Sequence, residues 1–303
     1  MKKLIITLGL LLSVSAFAEK KIVLTDRNTI VLDSAFDSES TGAVISQAVA
    51  LDRKVGAWLK KEHIYLLLRT PGGEVTAGMN MISTLNGLHR PVDTITIFAA
   101  SMGFQAVQGL GQRYILPSGV LMSHRARGGV EGEMGGVEPS QIESRLNFYL
   151  QSLMDLDLVT VKRTKGKQTL ESYRKAYASE LWVMGQHAVD QGYADEVASF
   201  TCDKSLDGIV TKQIEFMGIQ VQYDQDKCPL TNNPKNIRVM VQTQYGLVEH
   251  TEFLARGGVF GTGCEMGGKL CSINPGLTLD KIGETIKKFR ESKEQTGHVT
   301  WSK

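Results

Sequence analysis

A layered α/β domain, its parallel sheet covered by helices, is the fold class predicted for the first two thirds of the chain. "HIYLLLRT" (63–70) is a nearly continuous apolar run of strand length, as expected of a strand buried on both faces, and "DTITIFA" (93–99) reads as another buried strand. Segments with helical spacing of apolar residues alternate with these runs, and such alternation calls for right-handed crossovers. A third observation sets a boundary. After about residue 200 the texture changes, and the tail holds all four cysteines and several Asn, Pro and Gly turns. Residues 201–303 are therefore read as a smaller, mixed, disulfide-bearing C-terminal extension.

The opening "MKKLIITLGLLLSVSAFAEKK" has the three parts of a secretory signal: Lys2 and Lys3, the apolar run Leu4 to Val14, and the small-x-small site Ala16-Phe17-Ala18. Residues 1–18 are expected to be removed, leaving an exported, periplasmic or secreted chain that starts near Glu19 with no membrane anchor. "IVLTDRNTIVL" (22–32) reads as a short strand or pair of strands. "TGAVISQAVALDRKVGAWL" (41–59) then spaces Val44, Ile45, Ala48, Val49, Leu51 and Val55 as a helix does.

Beyond the first buried strand, "VTAGMNMISTLNGL" (75–88) reads as a helix and "FQAVQGLG" (104–111) as a short one. "RYILPSGVLMSH" (113–124) supplies one or two strands. Glu138 to Tyr177 reads mainly as helix, broken at Lys165-Gly166-Lys167. "HAVDQGYADEVASF" closes the domain as helix, turn at Gly192 and strand. In the tail, "NIRVMVQT" reads as a strand and "LDKIGETIKKFRES" as a final amphipathic helix.

The formal charge of +2 falls to about 0 once Lys2 and Lys3 leave with the signal. A neutral chain without a long basic run offers no case for nucleic acid or an anionic membrane surface. Cys202, Cys228, Cys264 and Cys271 are an even set in an exported chain, which favours disulfides, with three pairings open. Cys202 and Cys228 lack the close cysteine neighbour of a zinc site, so no metal is expected, and no cofactor either.

Chemistry can come from three places. Ser101, in "TIFAASMGFQ", stands at a strand-to-helix junction, where it is either a small residue easing the turn or a nucleophile with free helix-start N–H groups nearby. Pro71-Gly72-Gly73 ends another strand, as an ordinary turn or as a source of bare N–H groups for an oxyanion. His124 ends a third, and a histidine near a serine supplies the base that a hydroxyl nucleophile needs.

Taken together, residues 28–200 resemble the proteolytic subunit of the Clp protease family. "TPGGEVTAGMNMISTLN" is similar to that family's Ser-Pro-Gly-Gly-x-Val-Thr-Ala-Gly-Met segment. "FAASMGFQAVQGLGQRYILPSGVLMSHRARGG" is similar to its Ala-Ala-Ser-Met-Gly nucleophile segment, followed by Leu-Pro and Met-x-His-x-x-x-Gly-Gly. The resemblance implies a ClpP/crotonase-like layered β-α superhelix with flanking helices over 19–200, and serine endopeptidase activity on peptides or unfolded proteins.

It also implies Ser101 as nucleophile, His124 as general base, the backbone N–H groups of Gly73 and Met102 as oxyanion donors, and Gly72, Gly128 and Gly129 along the bound peptide. The family's third residue is an aspartate. Counting back from "QGYAD" puts Glu180 in its place, with Asp155, Asp157 and Asp190 as alternatives.

Members of the family are oligomers, so a homo-oligomer is expected. An exported chain meets no ATP supply, so no ATP-driven unfoldase partner is expected. Two rival readings keep the fold: an inactive Clp-like assembly or binding protein, and a Ser-Lys enzyme of the signal-peptide-peptidase kind. A third places the chain in the enoyl-CoA hydratase branch. His124 at the base position, with no lysine between Lys61 and Lys162, speaks against the Ser-Lys reading.

Overall fold

The computed structural model describes residues 20–54, 62–126, 139–216, 219–231, 234–243 and 246–249, with isolated positions 284, 287, 288 and 291. Seven strands build the first sheet: β1 (Lys20–Leu24), β2 (Thr29–Leu32), β3 (Ile64–Thr70), β4 (Val92–Ala100), β5 (Arg113–Ser123), β6 (Leu181–Met184) and β7 (Glu196–Cys202). Its order is β1-β7-β5-β4-β3-β2, with β6 attached to β5. Every pair is parallel except β5 with β6. The layered α/β class with a parallel central sheet is thus the observed one.

Helices α1 (Ser38–Lys54), α2 (Val75–Asn86), α3 (Met102–Gly109), α4 (Pro139–Arg163), α5 (Leu170–Tyr177) and α6 (Gly185–Asp190) connect and cover the strands. Leu66 and Leu68 of β3, Met81 of α2, Phe104 and Val107 of α3 and Leu121 of β5 fill the main core. On the opposite face, Leu67, Ile95 and Tyr114 lie in a second cluster with Ile22 and Leu24. Packing on both faces explains why β3 reads as a nearly continuous apolar run, and why β4 buries even Asp93, Thr94 and Thr96.

Two local expectations change. "IVLTDRNTIVL" does not form a neighbouring pair: β1 joins β7 and β2 joins β3, at opposite edges of the sheet. "RYILPSGVLMSH" is one strand that forks the sheet. Tyr114 and Ile115 pair with β7, whereas Val120 to Ser123 pair with β6.

After β7 the chain forms an antiparallel sheet of β8 (Ile209–Phe216), β9 (Ile219–Asp226), β10 (Lys235–Thr243) and β11 (Gly246–Glu249), in order β11-β10-β9-β8. Ile219, Val221, Tyr223, Val239 and Val241 give it a small core of its own. A disulfide joins Cys202, the last residue of β7, to Cys228, just after β9. That is one of the three pairings' possible bonds; Cys264 and Cys271 lie outside the described residues. The final predicted helix does too, except for Glu284, Lys287, Lys288 and Glu291, which are helical.

Candidate active site

Parallel strands end at the same edge of a sheet, and this topology gathers the residues of interest. Gly72 and Gly73 follow β3, Ser101 follows β4 and His124 follows β5. β6 runs the other way and begins at that edge. Leu181 pairs with Ser123 as the last rung of that ladder, and Glu180 and His124 are the residues next to it in sequence. The carboxyl ends of parallel strands are where open α/β sheets place their sites.

Ser101 is held at φ 55° and ψ −117°, a backbone conformation that non-glycine residues avoid and that costs about 1–3 kcal/mol. What enforces it is visible on both sides. Its N–H donates to Met122 O at 2.8 Å, and its carbonyl accepts from Gln105 N–H at 3.2 Å as α3 begins. The Gly-Gly turn packs directly behind it. A Cβ at Gly72 would lie 2.5 Å from Ser101 Cβ and 2.9 Å from Met102 N. Gly72 and Gly73 both have positive φ, 95° and 149°. The turn is clamped to Phe36, whose N–H donates to Gly72 O and whose carbonyl accepts from Glu74 N–H, each at 2.8 Å.

The N–H of Met102 opens α3 and cannot find an acceptor within the helix. Neither it nor the Gly73 N–H has a backbone hydrogen bond among the described residues. Two bare donors therefore flank Ser101, the arrangement that an oxyanion requires.

Ser101, Met102 and His124 line one cleft, with a cavity volume of about 50 Å³. Its other walls include Val75, Gln105 and Ala126 and, from α4 and α5, Leu153, Leu156, Asp157, Tyr173 and Tyr177. Among the described residues no hydrogen bond joins Ser101 to His124 or His124 to Glu180. Separations of this kind commonly close when a substrate binds. Glu180 is exposed, has φ 68° and accepts from Trp182 Nε1 at 3.2 Å. Glu180, Asp155 and Asp190 do not line the cleft; Asp157 does. No lysine lines it among the described residues. Gly128 and Gly129 lie outside the described residues.

A buried polar network not anticipated from the sequence ties the serine helix to the histidine strand. Tyr173 OH shares a 2.8 Å hydrogen bond with Ser123 Oγ, next to His124. It also accepts from Gln105 Nε2 at 3.3 Å, one turn beyond Ser101. Gln105 Oε1 accepts in turn from Thr160 of α4 at 3.2 Å. Burial pushes the Tyr173 phenol up to about 12, against the hydrogen bonds that favour ionisation, so it stays a neutral donor. The one trace of this in the sequence is Tyr173 with Tyr177, four apart on a short helix.

A larger cavity of about 520 Å³ lies at the other end of α3, lined by Gln108, Gln112, Lys162, Arg163 and Asp195 among others. It contains no nucleophile beside a base, so the chemistry stays with the smaller cleft. The family model for Clp protease matches residues 16–200.

Proposed function

Because the chain belongs to the Clp protease family, a family of serine peptidases, we propose that it is an exported serine endopeptidase acting on peptides or unfolded proteins. Ser101 Oγ attacks the peptide carbonyl while His124 takes its proton. The N–H groups of Gly73 and Met102 hold the oxyanion. His124 then protonates the leaving amine, and water hydrolyses the acyl-enzyme by the same route in reverse. Glu180, next to Leu181 as His124 is next to Ser123 at the end of the β5–β6 ladder, is the acid assigned to orient His124.

The observation that carries this reading is the strained backbone of Ser101. A small residue merely easing a turn gains nothing from φ 55°, whereas a serine nucleophile on a strand-to-helix turn is displayed by just such a bend. Export is supported by the signal-like opening of the sequence and by the Cys202–Cys228 disulfide, since disulfides persist in oxidising compartments. Self-association is supported by α4, which exposes Leu146, Phe148 and Leu150.

The test is fluorophosphonate labelling of the mature chain recovered from the exported fraction, whose N-terminus is expected near Glu19. Labelling should be stoichiometric and vanish in Ser101→Ala. A folded chain that takes no label, or one found only with residues 1–18 intact inside the cell, would contradict the corresponding half of the reading. The inactive assembly is the reading that unlabelled, folded protein would favour.

A further inference from the structure

Resting on the peptidase reading, we propose that Asp157 makes the acyl-side pocket polar and selects substrates with a short, neutral, hydrogen-bond-donating side chain, of the asparagine or serine class, at the residue whose carbonyl is attacked. A carbonyl reached by Ser101 Oγ with its oxygen toward Met102 N–H has its own Cα one bond further on. The side chain then falls into the concavity beside Ser101, whose wall is α4 and α5.

That wall is apolar at Val75, Leu153 and Leu156, and Asp157 is the one carboxylate in it. The Asp157 side chain is only 9% exposed. One of its oxygens, Oδ2, accepts from Arg174 Nε at 2.8 Å and from Tyr177 OH at 2.9 Å. Its other oxygen, Oδ1, has no hydrogen-bond donor among the described residues. Asp157 lines the cleft, and on this proposal its bare Oδ1 is the fixed acceptor offered to whatever enters.

Three features narrow the occupant. Arg174 already balances the charge of Asp157, which favours a neutral donor over a second cation. The cavity of about 50 Å³ takes a side chain of a few heavy atoms rather than Phe, and between the near-isosteric Asn and Leu the polarity of Asp157 decides. An apolar side chain would strip water from Oδ1 and return no hydrogen bond. Sites built around a polar partner reject analogues that lack it far more strongly than apolar pockets reject one methylene.

Two fluorogenic peptides identical except for Asn or Leu at the residue before the cut provide the test. The wild type should show a kcat/KM ratio favouring Asn by about tenfold or more, and Asp157→Leu should reverse the preference. A wild type that prefers Leu, or a ratio that moves less than about threefold in Asp157→Leu, overturns the proposal. Should Asp157→Leu fail to fold by circular dichroism, Asp157→Asn keeps the shape, removes the charge and should still lower the ratio; an unchanged ratio there overturns the proposal equally. Fluorophosphonate labelling of the wild type runs alongside. A labelled enzyme with the wrong preference sinks only the pocket assignment, and an unlabelled folded one sinks the peptidase reading with it.

Discussion

Ser101 and Glu180 are both non-glycine residues at positive φ, 55° and 68°, and both stand at the same edge of the sheet. Strain of this kind persists only where surrounding contacts enforce it. For Ser101 these contacts were described above; for Glu180 one is the bond from its own N–H to Tyr177 O, at 3.1 Å. Glu180→Ala is expected to lower peptide kcat/KM by about tenfold, and Glu180→Asp should restore most of it. A loss within about threefold, worth roughly 0.65 kcal/mol, would remove Glu180 from the mechanism.

The best-paired acid is elsewhere. Burial would raise the Asp195 carboxyl, but Arg113 donates to both its oxygens, at 2.8 and 2.9 Å, and brings it down from 3.8 to about 2. The folded value lies below the unfolded one, so this stabilisation is complete above pH 3.8 and is lost as pH falls through about 2. Asp195→Asn leaves Arg113 buried with less than its full set of partners and should cost about 3 kcal/mol at neutral pH. In urea titrations that gap should close as the pH approaches 2.

At the scale of elements, legibility followed locality. β3, β4, α2 and α3 were readable because burial on both faces and helical spacing are properties of each segment alone. β6 was not: "LWVM" is four residues long, alternates buried and exposed, and is a strand only because β5 offers it an antiparallel edge. In β5, Pro117 and Gly119 look like a break between two strands. They sit instead at the fork, where the pairing with β4 shifts register between Thr96 and Phe98, a place where a sheet tolerates both residues.

Ser101, His124, Gly73 and Met102 were picked out as candidates through family likeness, and Ser101, Met102 and His124 share one cleft. The Tyr173–Ser123–Gln105 network was not, since it joins three elements through side chains far apart in sequence. Among the helices, α4 carries the clearest exposed apolar face, with Phe148 74% exposed. If that face holds copies together, Phe148→Asp should lower the mass measured by light scattering while leaving the circular dichroism spectrum unchanged.

For the molecule as a whole, the part of the extension from Leu206 to Leu230 is docked on the sheet rather than trailing from it. Leu206 and Leu230 pack with Phe200 and Cys202 against the cluster around Tyr114. Arg69, buried in β3, donates to Pro229 O at 3.2 Å, and Lys212 pairs with Asp33 at 3.2 Å. The Cys202–Cys228 bond closes a loop across 26 positions, worth about 3 kcal/mol in the chain-entropy account. Cys228→Ser, or reduction of the wild type, should lower unfolding stability in urea by about that amount. Equal midpoints with and without reductant would show that the bond contributes little.

One feature of the sheet bears on how the chain comes to be folded at all. Residues 20–24 pair with residues 198–202 in parallel register, so the first strand's neighbour is the last strand of the same sheet. Non-local pairing of this kind must wait for a large loop to close. During synthesis β1 has no place to go until the ribosome has released everything up to Cys202. On the proposed export reading, a leader joined to that strand would stay attached to an unpaired segment until residues 198–202 are made, leaving the N-terminus free to engage an export channel.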